Sequence, residues 1–436
     1  NIQLVLMLAM VFFLLRAAPR NHAGWLAGTS AVLMLAIGME TAPYVAAGGL
    51  FVVGWFLLKG DEARRTTAAF GIAFSTVSAG VFASTVSPSQ WGAAYCDAFS
   101  VVQFSIGAVG GAGLAAIAWS RALSGTTLRR GVSLASLGTL VGCLVLFYFP
   151  QCLSDPYSDL APMLRTFWLS AVSEAQPVWK VLTSTPEDAA GYYATTLIAT
   201  LVLALRIRRE GMRREYALLA LMLVVSLLVA FWQIRGARFA APLACLPLAM
   251  WVAQRRQRTA TEPGTVSTLG MVGAWIFSFS MVWALTADAW RLFSEQDPGS
   301  KSEIGEQACT NSTDYGLLAS LPASTILTIS NLGAPILLHT SHRALAGPYH
   351  RNIAGNLATL DVLMGPASAG ETQTREVGAS LLAVCPGNPE TGFLTRQAPD
   401  GLLAGLVSGN VPDWLEMVPE SVGQPIVLYR VTSPHS

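Results

Sequence analysis

Apolar residues fill the first two thirds of the chain in runs of about twenty, broken by short polar segments. The runs lie near 2–16, 24–40, 43–58, 67–86, 100–121, 130–149, 190–207, 215–232, 239–254 and 268–286. Crossing a hydrocarbon core roughly 30 Å thick takes about 20 residues of helix. The pattern therefore predicts about ten transmembrane helices over 1–286, interrupted by a loop over 150–189 that is too long for a simple connector. From 287 the pattern changes. Ser, Thr, Gly and Asp surround short β-rich runs, "TILTIS" (325–330), "PILLHT" (335–340), "LLAVC" (381–385) and "PIVLYRVT" (425–432). Helix-like pieces lie between them, around 313–320, 400–408 and 412–417. A mixed α/β domain over 287–436 follows, large enough to fold by itself.

Composition agrees: of 436 residues 53% are hydrophobic and 12% charged, about half the charged share of an ordinary soluble domain. This excludes a soluble enzyme, and no nucleic-acid partner is expected. Arginine and lysine mark every second loop: Arg16 and Arg20; Lys59, Arg64 and Arg65; Arg121, Arg129 and Arg130; "RIRREGMRRE" (206–215); and "RRQR" (255–258). By the positive-inside rule these loops are cytoplasmic. The loops 40–43, 87–99, 150–189 and 233–238, with the C-terminal domain, are then outside. The expected location is a bacterial inner membrane with the C-terminal domain on the periplasmic side. Cys96 and Cys152 in outer loops, and Cys309 and Cys385 in the outer domain, are where disulfides could form, with free thiols the alternative. The chain opens at Asn1 directly on an apolar run, without a signal-peptide pattern, and is read as lacking its natural start.

Ionisable groups at a membrane are costly, so those in outer loops are the candidates for chemistry. Glu174 stands alone in the apolar stretch "WLSAVSEAQPVWK" (168–180). Its carboxylate could ligate a divalent metal, Mg or Mn, beside a substrate phosphate; Ser173 to Gln176 also fits a helix capping box. Glu40 in "LAIGMETAPY" could face the same cavity or be an interfacial acid at a helix end that Pro43 helps to terminate. Asp97 could cap the fifth helix, and Asp155 and Asp159 suit a turn. In "WQIRGARFAAPLA" (232–244), Arg235 and Arg238 put positive charge on the outer side, against the topological bias. A guanidinium there could grip phosphate oxygens bidentately or snorkel to lipid headgroups. In the outer domain, "SNLGAPILLHTSHRALAGPYHRN" (330–352) gathers His339, His342 and His350 without metal-site spacing. Asn331 and Gly333 suit a turn after the strand. Acceptor recognition and a polar strand edge are both open for this stretch.

The octapeptide "SAVSEAQP" (170–177) resembles the Ser-Val-Ser-Glu-His-Gln-Pro motif of the catalytic subunit of oligosaccharyltransferase, a GT-C fold membrane glycosyltransferase. Ser173, Glu174, Gln176 and Pro177 match, and Ala175 replaces the histidine. The family also has four helices after its motif and then an outer domain, and an Arg-Phe pair near the lipid-linked donor's phosphates, where Arg238-Phe239 stand here. The resemblance implies a catalytic role for Glu174 with Ser173, Glu174 as metal ligand or acceptor-positioning group, and Arg238 as a donor-phosphate contact; Arg235 joins it on the residue reading alone. It implies thirteen helices in all, with three and two metal-holding aspartates ahead of Asn1, so the chain alone is expected to be inactive. The family's Trp-Trp-Asp-Tyr-Gly acceptor motif has no counterpart, and Asn331-Leu332-Gly333 stands where Asp-Tyr-Gly would.

The expectation is thus a metal-assisted, inverting membrane glycosyltransferase that takes a polyprenyl-(pyro)phosphate sugar donor. The acceptor is a glycan, lipid or protein, with Asn331, His342 and His350 on its side and membrane lipids as surroundings. The alternatives are an envelope-lipid transporter or flippase, though no paired broken helices are visible, and a non-catalytic envelope scaffold.

Overall fold

In the computed structural model the described residues are 2–16, 21–154, 160–169, 172–294 and 309–432. Arg20, Asp155 and Asp159 lie outside them, as does the side chain of Ser173. The chain forms two compact units, one from 1–158 with 174–296 and one from 159–173 with 297–436.

The first unit is helical. Among the described residues seven helices are long and apolar enough to cross a membrane, from Met39–Lys59 to Ile234–Thr261, and Ile2–Arg16 and His22–Ile37 are shorter apolar helices. The last predicted span is not one helix. Thr265–Phe277 and Ser280–Trp290 meet at 82°. The Ser278 amide bonds back to the Trp275 carbonyl at 3.1 Å and its Oγ to the Ala274 carbonyl at 2.6 Å. This tightened, side-chain-bonded turn ends the first helix.

The interior is packed with side chains such as Met7, Met10, Leu14, Met34, Leu218, Met222 and Leu243. Gly71 and Gly111 let two helices touch backbone to backbone, since a Cβ on either would fall within 2.7 Å of the other's carbonyl oxygen. The outer surface is apolar as well: Leu50, Leu58, Leu128, Val132, Leu140 and Phe147 are exposed, and Thr127–Tyr148 has none of its apolar core window buried. Such a surface is stable only against hydrocarbon, so the protein is an integral membrane protein.

Loop details differ from the sequence reading. Ser100, not Asp97, caps Val101–Trp119, in a capping box with Gln103. Pro43 sits in the first turn of Ala42–Lys59 and so helps to start a helix there. Cys96 is bonded to Cys152.

The second unit carries a five-stranded sheet in the order β2-β1-β3-β5-β4. Strands β1 (Thr325–Thr328), β3 (Leu381–Val384) and β5 (Val427–Val431) fall in predicted runs. β2 (Arg343–Ala344) and β3 flank β1 in parallel, while β5 runs antiparallel to β3 and to β4 (Leu415–Met417). Two short predictions invert. "PILLHT" is the end of a helix, Ser330–His339, because a parallel β1-to-β2 connection needs a crossover. The helix-like piece around 412–417 holds edge strand β4, drawn into pairing with β5. Helices Ile353–Met364, Ala367–Glu376, Pro389–Gln397 and Leu402–Val407 also belong to the unit. The short loop helix Pro162–Phe167 packs on Ile353–Met364, and Cys309 is bonded to Cys385.

Candidate functional site

Three segments far apart in sequence meet at one end of the helical unit. The first is the 3-10 turn Met39–Thr41, which carries Glu40. It is held to the preceding helix by Thr41, whose Oγ1 donates to the Gly38 carbonyl at 2.8 Å. The second is the turn Ser173–Ala175, which carries Glu174. The third is the turn Ile234–Gly236 running into the helix Ala237–Thr261, which carries Arg235 and Arg238. The Ile234 amide donates to the Gln176 carbonyl at 2.9 Å and stitches the second segment to the third. Gly236 makes the third segment possible. A Cβ there would lie 2.6 Å from the Ala230 nitrogen, so only glycine lets this turn close onto the preceding helix.

The four charged candidates form two ion pairs. Arg238 Nη2 meets Glu174 Oε1, and Arg235 Nη1 lies 3.6 Å from Glu40 Oε2. The first pair is about half exposed, 58% and 52%, and the second about a third, 36% and 37%. Pairs this open to water contribute roughly 0–1 kcal/mol each. They hold the arginines in place and release them cheaply.

Sequence reasoning missed Tyr44. It is fully buried, its ring lies 4.7 Å from that of Phe239, and its hydroxyl has no hydrogen-bond partner. Glu40 and Arg235 are close enough for their charges to act on it. A buried hydroxyl left unpartnered costs about 1–3 kcal/mol, which phenylalanine would avoid. The signal was present: Glu40 and Tyr44 are four apart, a spacing that stacks side chains on one helical face.

The expected metal does not fit these residues by themselves. Among the described residues no three His, Cys, Asp or Glu side chains cluster, and Glu174 is engaged by Arg238.

The acceptor-side candidates lie in the second unit. Asn331 and Gly333 belong to the first turns of Ser330–His339, not to a turn after the strand. Gly333 is required because a Cβ would lie 2.1 Å from the Ala346 carbonyl oxygen. The Asn331 amide donates to Glu390 Oε2 at 2.7 Å and its side chain to Asn388 at 3.3 Å. His342 is buried, with the Ser324 amide donating to Nδ1 at 3.0 Å and Nε2 2.7 Å from the Leu318 carbonyl. Its ring is committed to packing. His350 is half-buried, edge-on to Tyr349 at 5.3 Å.

Sequence reasoning also passed over Glu390. Its Oε1 accepts from the Ser330 amide at 3.1 Å and the Ser330 hydroxyl at 2.7 Å, so with the Asn331 bond it takes three donors at a helix N-terminus. Burial outweighs those bonds and pushes its carboxyl above the ordinary range.

No family model matches the chain, and no curated protein matches it in sequence. Solved structures do. The archaeal oligosaccharyltransferase AglB from Archaeoglobus fulgidus, in complex with an inhibitory peptide and a dolichol-phosphate, superposes with a TM-score of 0.60 at 12% identity. The match covers 99% of this chain and 56% of that one. The Archaeoglobus fulgidus oligosaccharyltransferase in complex with Zn and sulfate gives a TM-score of 0.53 at 12% identity, over 88% of this chain and 49% of that one. This chain therefore spans about half the length of the proteins it matches. Identity this low shows architecture alone: the chain has the GT-C fold of the archaeal oligosaccharyltransferases, with the helical membrane unit followed by a smaller α/β unit.

Proposed function

We propose that the protein is an inverting membrane glycosyltransferase that moves a sugar or oligosaccharide from a polyprenyl-linked phosphate donor to a glycan, lipid or protein acceptor on the periplasmic side of a bacterial inner membrane. The observation that carries this reading is the ion pair between Glu174 of the "SEAQP" segment and Arg238 of the Arg-Phe pair. Sequence resemblance named the two separately, 64 residues apart, and the fold brings them together. The inhibitory peptide and the dolichol-phosphate held by one structural neighbour support a lipid-phosphate donor and a separate acceptor.

In this mechanism Arg238 grips the donor phosphate and stabilises the charge that grows as the bond to the anomeric carbon breaks. The acceptor's oxygen or nitrogen attacks that carbon from the opposite face, which inverts it, and the phosphate leaves with the electron pair. Glu174, released from Arg238, orients the acceptor and takes up its proton. Ser173 stands beside Glu174 in sequence as a supporting group. Asn331 and His350 remain the acceptor-side candidates, while His342 would act only through its packing.

A transporter would be expected to carry broken helices in corresponding halves. The described residues contain one bent pair, without a counterpart. The test is transfer itself. Protein purified in detergent from its native membrane is incubated with radiolabelled polyprenyl-linked sugars and membrane extract, with and without Mg²⁺ or Mn²⁺. Label should move to an acceptor and stop in Glu174→Gln. No transfer from any donor, or equal transfer by the variant, would reject the reading.

A further inference from the structure

We infer that the helical unit binds the phosphodiester headgroup of an anionic phospholipid at Lys59, Arg214 and Trp55, on the membrane face opposite the candidate site. The helices fix the place. Ala42–Lys59 follows the Glu40 turn directly and ends at Lys59 after 18 residues, a rise of about 27 Å. Arg214 starts the helix that ends at Trp232, just ahead of the Arg235 turn. Both helices are long and apolar enough to cross a membrane, so their Lys59 and Arg214 ends stand at headgroup level. The site is independent of the transfer reaction.

Two cations are gathered there without an ion-pair partner. Lys59 Nζ lies 5.5 Å and Arg214 Cζ 5.3 Å from the centroid of the Trp55 ring, so one half-buried indole draws both to it. Arg214 Nη2 donates to the Leu14 carbonyl at 2.7 Å, which fixes the guanidinium against the end of Ile2–Arg16. Its Nε is buried and has no hydrogen-bond partner among the described residues, a costly state for a charged donor. Glu62 and Glu215 are near enough for their charges to act on Arg214, but the described ion pairs at this end use Asp61 and Glu210 instead. The cluster beside it is closed, because Glu210 takes Arg206 at 2.9 Å, Arg213 at 3.7 Å and the Tyr216 hydroxyl at 2.6 Å. Arg213 and Arg214 also stand at the N-cap and first position of a helix without a side-chain cap. That is the positive end of its dipole, where cations are misplaced unless an anion joins them. An anion between Lys59 and Arg214 relieves the repulsion, the unpaired Nε and the dipole together. Its surroundings name its class. Leu58, next to Lys59, is exposed, as is Leu50 about two turns earlier, so the cations crown an apolar, lipid-facing surface. A phosphodiester suits the guanidinium, and a lipid that carries one lays its acyl chains along these leucines. A zwitterionic headgroup brings its own cation and fits less well.

The test titrates the full chain, delipidated in neutral detergent, with phosphatidylglycerol, phosphatidylcholine and inorganic phosphate, bound lipid being counted by native mass spectrometry. Phosphatidylglycerol should bind about tenfold more tightly than phosphatidylcholine, and excess inorganic phosphate should not displace it. Lys59 is exposed, so Lys59→Gln keeps the fold; it should lower phosphatidylglycerol affinity about fivefold, the worth of one basic side chain at a headgroup. Arg214→Gln, with its melting followed in parallel, should lower it at least as much. Arg256→Gln removes an exposed arginine from "RRQR", a different basic loop, and should leave binding unchanged. Equal binding of the two lipids, binding of neither, or equal losses in Lys59→Gln and Arg256→Gln, the mark of diffuse surface charge, overturns the inference. Displacement of the lipid by inorganic phosphate would show a free-anion site and overturns it as well.

Discussion

The two units treat a carboxylate in opposite ways. In the helical unit Glu174 and Glu40 are partly open to water, each held by a single arginine from a neighbouring turn. In the α/β unit Glu390 is 9% exposed and takes three hydrogen bonds, which fasten Pro389–Gln397 to the start of Ser330–His339. The first arrangement is weak and reversible. The second is structural, because removing its carboxylate leaves buried donors unpaired. The difference separates charges placed to be released from a charge placed to hold the fold.

Stability measurements give the widest contrast. Glu390→Ala should destabilise the protein by about 3 kcal/mol, from the donors left unsatisfied, while Glu174→Ala should cost less than about 1 kcal/mol. Denaturation followed by a probe in the α/β unit and one in the helical unit would check both. A similar loss from the two variants would erase the distinction. Tyr44→Phe sharpens it from the other side. Removing an unpartnered hydroxyl should leave the melting temperature unchanged or slightly raised. A fall in stability would contradict the reading of that hydroxyl as unpartnered.

The smallest effect is in pH. Burial raises the folded-state pKa of Glu390 above its ordinary value of 4.5. The native state therefore binds that proton more tightly than the unfolded chain does. Its contribution to stability is full below pH 4.5 and is lost as pH rises through the raised folded value. Glu390→Gln should flatten that part of the stability profile of the α/β unit, and Glu174→Gln should leave it unchanged; melting curves from pH 4 to 8 distinguish the two.

Much of the helical unit was legible because a twenty-residue apolar run has few fates. Each predicted span overlaps a helix, and the tenth differs only where Ser278 bends it. The α/β unit was legible where β-branched runs are central, as in β1, β3 and β5, and misread where six apolar residues fit either period, as in "PILLHT". The four charges of the site were visible one by one. Their pairing was not, because Glu40 meets Arg235 and Glu174 meets Arg238 only through the fold. Tyr44 and Glu390 stayed hidden for a related reason: a missing partner and a non-local cap are properties of packing, which single-residue reading does not reach.

Steady-state transfer kinetics of Arg238→Ala and Glu174→Gln with the labelled polyprenyl donor test the central claim most directly. Arg238→Ala should raise donor KM at least tenfold. Glu174→Gln should lower kcat about a hundredfold, roughly 2.7 kcal/mol of lost transition-state stabilisation, without raising donor KM, since it frees Arg238 for the phosphate. Wild-type kinetics in both variants, with the folded protein intact, would contradict the account.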